Sequence, residues 1–313
     1  MSTPGSDLAA LAGRLLPGRD VRPVEVVEVG WDHRVLRAEV DGVPWIVRAH
    51  REAGDRAIAE REHRILQLVA DRLPTAVPRW ELFTVVDDVA VMGYPSLPGN
   101  PLGEEPRSDG DFVLRFPPPL PELLVDRLAA TLARLHDIPA AEVGTVLGPP
   151  PDPQAFRRHR AQRVDELAAA VEVPGPVLDR WRADLARDEL WTGTPVLMHG
   201  DVHPGHLMVS GDGELLGIID WTDSGWGDPA EDFLDHRHAL GADECHRLLA
   251  RYRSLRSTPP DDALADRTAV LQSLGPVGTA LWGLETGNDH LVRRARQRMD
   301  DQAHRLAAGL DPV

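Results

Sequence analysis

The chain has 313 residues, a formal net charge of −16 and a single cysteine, Cys245. The acidic field argues against nucleic-acid phosphates as partners, and one cysteine excludes an internal disulfide framework. All 34 basic residues are arginine, which excludes chemistry that requires a lysine, such as Schiff-base formation or a phosphate-binding G-K-[ST] loop.

The chain opens on M-S-T-P-G-S-D, which lacks the basic and apolar regions of a leader peptide. No apolar run approaches the roughly 18 residues of a membrane span, so we expect a cytoplasmic protein with no membrane partner. Ser6 caps a helix over residues 7–16, stopped by Pro17-Gly18. Strand patterns follow: V-E-V-V-E-V, then R-V-L-R-A-E-V, then P-W-I-V-R-A. The last two flank Asp41-Gly42, a hairpin signal. Ile58, Ile65, Leu66, Val69 and Leu73 give a helical stripe over residues 55–72, closed by Pro74. E-L-F-T-V-V and V-A-V-M-G-Y read as two more strands around Asp87-Asp88.

Residues 95–121, rich in Pro, Gly and acids, read as a linker or surface loop. Helices are expected over residues 123–136, 152–171 and 177–190. A hairpin turned at Gly211-Asp212-Gly213 comes next, followed by helices over residues 231–308 with breaks near Gly241, Pro259-Pro260 and residues 286–288. The reading is an α+β chain: a small, mostly antiparallel β lobe over residues 1–94 and a larger, mainly helical lobe over residues 95–313. Cys245 reads as a core residue at a helix start.

M-H-G-D-V-H-P-G-H-L-M-V carries His199, Asp201, His203 and His206 within eight residues. Imidazoles and a carboxylate suit zinc. The spacing does not: H-E-x-x-H is absent, Pro204-Gly205 forbid a regular helix, and an extended loop would turn alternate side chains to opposite sides. The apolar strand L-L-G-I-I then ends in Asp220. A carboxylate there is costly to bury without a partner, and a cation is a natural one. A hairpin returning to its origin would set His206 beside Asp220, leaving Asp201 for acid–base work. That set serves phosphoryl transfer.

H-G-D-x-x-x-x-H followed by I-I-D-W resembles the catalytic and metal-binding loops of the aminoglycoside phosphotransferase superfamily, which has the protein-kinase-like bilobal fold. Histidine at the last position of the first motif, together with V-G-W-D-H-R-V, W-I-V-R-A-H-R, D-P-A-E-D-F and A-L-W-G-L-E-T-G-N-D, resembles its macrolide 2′-phosphotransferase branch. The resemblance covers roughly residues 24–291. It implies Asp201 as catalytic base, with Asp220 and His206 at the Mg²⁺ position. It implies Arg48 on the phosphates with Glu62 as its helix partner (Glu60 the fallback), and Gly30, Asp32 and His33 in a phosphate-covering loop. Met92, Gly93 and Tyr94 would form the hinge at the purine edge, and Asp232 and His199 would hold the catalytic loop.

The resemblance also implies the acceptor and donor: a macrolide 2′-hydroxyl, phosphorylated from GTP in preference to ATP. A large apolar ring with one tertiary amine calls for an apolar groove with an acid nearby. The candidates are Asp223, Trp226, Phe233, Leu234, Trp282 and Glu285. Carboxylates around Glu231, Asp232, Asp235, Asp243 and Glu244 keep an aminoglycoside or another small alcohol open as acceptor. A nucleotide-binding module without transfer activity would need no base, which argues against it. The absence of long apolar heptads favours a monomer.

Overall fold

The computed structural model describes residues 8–27, 33–51, 55–104, 112–258 and 261–313. Helix α1 (Leu8–Leu15) leads into strands β1 (Val21–Val27), β2 (His33–Val40) and β3 (Val43–His50). Helix α2 (Arg56–Val69) and strands β4 (Leu82–Val86) and β5 (Val89–Pro95) complete this part. The five strands form one antiparallel sheet in the order β1-β2-β3-β5-β4. Both tight hairpins turn on residues that tolerate left-handed backbone. Asp41 and Gly42 have φ of 52° and 80°, and Asp87 and Asp88 have φ of 50° and 64°. Leu36, Ala38, Val47, Ala49 and Val91 pack under Leu8 and Ala12 of α1.

Helix α2 joins the two halves. Its Ile65, Leu66 and Val69 share a core with Leu135, Ile138, Val143, Leu197 and Trp221 from beyond the sheet. Each large apolar side chain buried there contributes about 1.5–3 kcal/mol. The helix is therefore held to the helical half as firmly as to the strands.

The segment read as a linker contains strands. β6 (Asn100–Pro101), β7 (Gly103–Glu104) and β8 (Val113–Leu114) span two residues each. β6 pairs with β10 (Leu207–Val209), and the Leu102 N–H reaches the Leu207 carbonyl at 2.8 Å. Elements this short carry no hydrophobic period, so composition misread them.

Helices α3 (Glu122–His136), α4 (Ala140–Leu147), α5 (Pro153–Ala170) and α6 (Gly175–Ala186) follow. Leu124, Leu128, Leu132 and Leu135 of α3 are at most 1% exposed, as their three- and four-residue spacing requires. Helix α4 was not expected, and α6 stops four residues short of the expected end, before a 3₁₀ turn (Asp188–Leu190). Strands β9 (Val196–Met198), β10, β11 (Leu215–Ile218) and β12 (Gly225–Gly227) frame the histidine-rich loop. β10 pairs with β11 and β9 with β12. Helices α7 (Leu234–Leu240), α8 (Ala242–Leu255), α9 (Leu264–Ser273), α10 (Gly275–Thr286) and α11 (Asp289–Ala307) complete the chain. The breaks fall at Gly241 (φ 90°) and Gly287 (φ 67°). A further break at Leu274 was not foreseen, and the Pro259-Pro260 break lies outside the described residues. The fold is thus a five-stranded antiparallel sheet with a mainly helical C-terminal part, the kinase-like arrangement. No helix among the described residues is long and apolar enough to cross a membrane.

Candidate active site

The loop after β9 is held by its backbone. Asp232, fully buried in a 3₁₀ turn (Pro229–Phe233), accepts the N–H of His199 at 2.9 Å and of Gly200 at 2.7 Å. His136 hydrogen-bonds the same carboxylate at 2.9 Å, and its other ring nitrogen meets the Tyr252 hydroxyl at 2.7 Å. Burial works against the Asp232 charge, but the hydrogen bond and charge of His136 and the Gly200 N–H hold its pKa below the usual range. Gly200 has φ 91°, and a Cβ there would stand 2.6 Å from the Asp223 carbonyl oxygen, so only glycine fits. His199 is wholly buried and its Nε2 meets the Ile219 carbonyl at 3.1 Å. Burial lowers its pKa to about 4.

This frame leaves the Asp201 side chain 31% exposed. Burial raises its pKa to about 7; His206 opposes the shift, and the charges of Asp235, Asp223 and Asp220 reinforce it. The β10–β11 hairpin then brings Asp220 back beside the loop. The Ile219 N–H donates to the His206 carbonyl at 3.0 Å, and His206 Nε2 stands 3.7 Å from Asp220 Oδ2. Asp220 has φ 62°, an unusual conformation for a non-glycine residue and one that clusters at functional sites. Burial disfavours its charge, yet Arg48, His206 and His33 and a hydrogen bond from Thr222 hold its pKa far below the usual carboxylate range.

The loop is not extended. A 3₁₀ turn (Pro204–His206) brings the His203 and His206 rings together, tilted at 34° with centroids 3.7 Å apart. Asp201, His203 and His206 therefore offer ligand atoms within 4.8 Å of one another, which the expected alternation would have scattered. The tautomers separate the two rings: the Asp201 carbonyl, 3.0 Å from His206 Nδ1, keeps the His206 proton on that nitrogen. The Gly205 N–H donates to His203 Nδ1 at 3.0 Å, so the ring proton sits on Nε2, which points at Asp201 Oδ2 from 3.8 Å. His203 thus turns a donor, not a lone pair, toward the carboxylate. Burial lowers its pKa to about 3.

Behind Asp220 lies a closed polar ring. Arg48 on β3 is 5% exposed and pairs with the fully buried Glu62 of α2 at 2.6 Å. Arg48 also lies 3.5 Å from Asp220 Oδ1. The Thr222 hydroxyl stands 2.9 Å from Asp220 Oδ1 and 3.3 Å from Glu62 Oε2. Arg61 donates to the Thr222 carbonyl at 2.8 Å. Thr222 and Arg61 were not anticipated; a threonine two residues past an aspartate carries no signal of its own.

Other expected positions differ. Gly30 and Asp32 lie outside the described residues. His33 is buried, with Nε2 3.3 Å from His50 Nε2, and burial with the Arg48 charge lowers its pKa to about 3. Met92 and Gly93 lie inside β5, opposite Arg48 and Val47 on one side and Phe83 and Leu82 on the other. Their backbone groups are used by the sheet, so the strand has a free edge only from Tyr94 onward. An apolar cluster of Tyr94, Leu97 and Met208 with Ile46, Trp80 and Ile219 joins the two sheets there. The cluster has no local signature in the sequence, because its members come from distant strands and from the segments that adjoin them.

The acceptor candidates do not converge on one wall. Phe233 is 0% exposed and packs on His136 and Tyr252, so it has no face for a ligand, which corrects its expected role. Its neighbour Leu234 lines a cavity of about 350 Å³ together with Met198, Phe156, Leu271 and Val277. The Arg160–Glu231 ion pair, 2.7 Å long, forms its polar wall. Arg163, also on that wall, pairs with Glu285 at 3.4 Å, and Trp282 is 51% exposed on the same helix. Asp223 is exposed behind Gly200. Trp226 faces elsewhere: its indole N–H donates to the Gly148 carbonyl, and it lines a separate cavity of about 790 Å³ with Tyr252 and Arg256.

A family model described as the phosphotransferase enzyme family matches residues 23–263. A solved macrolide 2′-phosphotransferase type I superposes with a TM-score of 0.79 at 30% identity, covering 94% of this chain and 96% of that one. The apoenzyme of the macrolide 2′-phosphotransferase MphH from Brachybacterium faecium gives 0.78 at 28% identity, with coverage of 94% and 96%. The uncharacterized protein YcbJ of Bacillus subtilis (strain 168) is 28% identical over 285 residues, which is 87% of this chain and 88% of that protein.

Proposed function

The chain belongs to the phosphotransferase enzyme family, and we propose that it transfers the γ-phosphate of a purine nucleoside triphosphate, GTP ahead of ATP, to the 2′-hydroxyl of a macrolide amino sugar. The observation that carries the transfer chemistry is the placement of Asp201 beside the His206–Asp220 pair. Among the described residues no arginine pairs with Asp201, and its pKa of about 7 suits a group that orients a hydroxyl and accepts its proton. His206 and Asp220 would hold a divalent cation, expected as Mg²⁺; the side chains fit, since they turn a nitrogen and a carboxylate oxygen toward each other. A cation bound there would neutralise developing phosphate charge. Arg48, fixed by Glu62, directs its guanidinium at the phosphate oxygens. The purine lies against the Ile46, Tyr94, Leu97 and Met208 cluster, with residues 1–94 as the nucleotide-binding lobe and residues 95–313 as the lobe that carries the base and binds the acceptor.

The macrolide reading draws on the apolar 350 Å³ cavity and on two macrolide 2′-phosphotransferase structures near 30% identity. We assign that cavity, walled by Leu234 and Met198, to one face of the large ring. GTP preference draws on the resemblance of the motifs. Phosphate transfer to erythromycin and to kanamycin, measured with GTP and ATP separately, tests the proposal. Erythromycin-dependent turnover that Asp201→Ala abolishes supports it; turnover on kanamycin alone moves the acceptor to an aminoglycoside.

A further inference from the structure

We propose that Tyr252 and Arg256 are positioning residues for the loop that carries Asp201, acting through a one-way chain of hydrogen bonds that ends on Asp232. The inference rests on the reading of Asp201 as the base. Arg256, just past the end of α8, places Nη1 2.9 Å from the Tyr252 hydroxyl oxygen, and a guanidinium only donates. That oxygen therefore accepts from Arg256, and the hydroxyl proton goes to His136 Nδ1, 2.7 Å away. With Nδ1 accepting, the ring proton of His136 sits on Nε2, 2.9 Å from Asp232 Oδ2. A charged carboxylate only accepts, so both ends of the chain are fixed. A doubly protonated His136 would donate to the Tyr252 oxygen as well, and would leave the phenolic proton without an acceptor among the described residues.

Every donor in the chain thus points toward Asp232, whose two oxygens take the amide hydrogens of His199 and Gly200. Asp201 is the next residue. His136 and Tyr252 are each 3% exposed and Asp232 is 0% exposed. Away from water each hydrogen bond polarises the next, so the Arg256 charge strengthens the hold of His136 on Asp232. Arg256 is itself aimed: its Nε lies 3.0 Å from Asp137 Oδ1, and its Nη2 donates to the Thr258 hydroxyl at 2.7 Å. Among the described residues neither Tyr252 nor Arg256 hydrogen-bonds the loop itself. Their effect on turnover therefore passes through Asp232, and that of Arg256 passes through Tyr252.

The test is a double-variant cycle on the full chain, with erythromycin or kanamycin as acceptor and with kcat and nucleotide KM read separately. Tyr252→Phe and Arg256→Met each lower kcat about tenfold and leave KM unchanged, because a small displacement of the reacting groups costs rate and not nucleotide binding. The double variant is no slower than Tyr252→Phe alone, since the chain is already cut. Arg256→Lys, which again only donates, recovers most of the rate. Losses that multiply in the double variant, a raised KM at unchanged kcat, or an Arg256→Lys as slow as Arg256→Met each overturn the proposal and leave the reading of Asp201 standing. Parent-like turnover in Asp201→Asn overturns that reading and the proposal with it. A second measurement needs neither transfer nor a variant of the chain's outer members: ¹⁵N NMR of the histidine rings, with His136 assigned through His136→Gln, shows the His136 proton on Nε2. A proton on Nδ1, or on both nitrogens, overturns the chain.

Discussion

The ring of Arg48, Glu62, Thr222 and Asp220 and the loop carrying Asp201, His203 and His206 adjoin each other but handle charge in opposite ways. In the ring both carboxylates share one arginine: Arg48 sits between Glu62 and Asp220, and the Thr222 hydroxyl lies between them as well. In the loop the Asp201 carboxylate meets only histidines among the described residues, and burial raises its pKa to about 7 while the ring carboxylate Asp220 stays charged far below that. The same residue type is thus pushed in opposite directions over a few ångströms. A group meant to move a proton must stay near its midpoint, whereas a group meant to hold a cation must stay charged.

Four substitutions break or sharpen this contrast. Asp201→Asn removes the proposed base and should cut turnover by about 10²–10⁴-fold, with nucleotide affinity unchanged by equilibrium titration. It should also stabilise the fold. A carboxyl whose folded pKa lies above its ordinary 3.8 contributes stability below that value and loses it as pH rises through about 7. The Asn variant should therefore out-melt the parent at pH 8, with the gap closing near pH 4. Glu62→Ala leaves Arg48 buried without its nearest carboxylate and should cost about 3–5 kcal/mol in denaturant unfolding, far more than an exposed pair would. Thr222→Val removes one hydrogen bond to a charged group, worth about 1.5–3 kcal/mol. We expect a weaker dependence of turnover on divalent cation, restored by Thr222→Ser; equal loss in both variants would mean that packing, not the hydroxyl, matters. Asp235→Asn is the smallest change. Removing its negative charge lowers the Asp201 pKa, so the acidic limb of the turnover profile should move to lower pH, read from the pH dependence of turnover in the two proteins.

Much of the frame could be read from local chemistry. Asp41-Gly42 announced a hairpin because those residues accept positive φ, and the leucine spacing of α3 announced its buried face. The approach of His206 to Asp220 followed from a hairpin's obligation to return to its origin. What escaped lacked a local signature. Two-residue strands such as β6 have no period, and Thr222 matters only because α2 arrives from another part of the chain. Sequence alone puts Phe233 and Leu234 together at the pocket. They straddle the junction between a 3₁₀ turn and α7, where the change in pitch sends one ring into the core and its neighbour to the cavity. The tautomers of His203 and His206 depend on which backbone group each ring meets, and no spacing rule reports that.

The buried carboxylate of Asp232 has a consequence measured in time. Its two acceptor bonds lock the amide hydrogens of His199 and Gly200, and its own anchors, His136 and Tyr252, belong to α3 and α8 at the centre of the helical half. Those two amides have no shallow route to solvent. Their deuterium exchange should keep the slow clock of global opening while neighbouring surface loops exchange quickly. The segment that carries Asp201 then does not wear out piecemeal: its lifetime is that of the whole molecule.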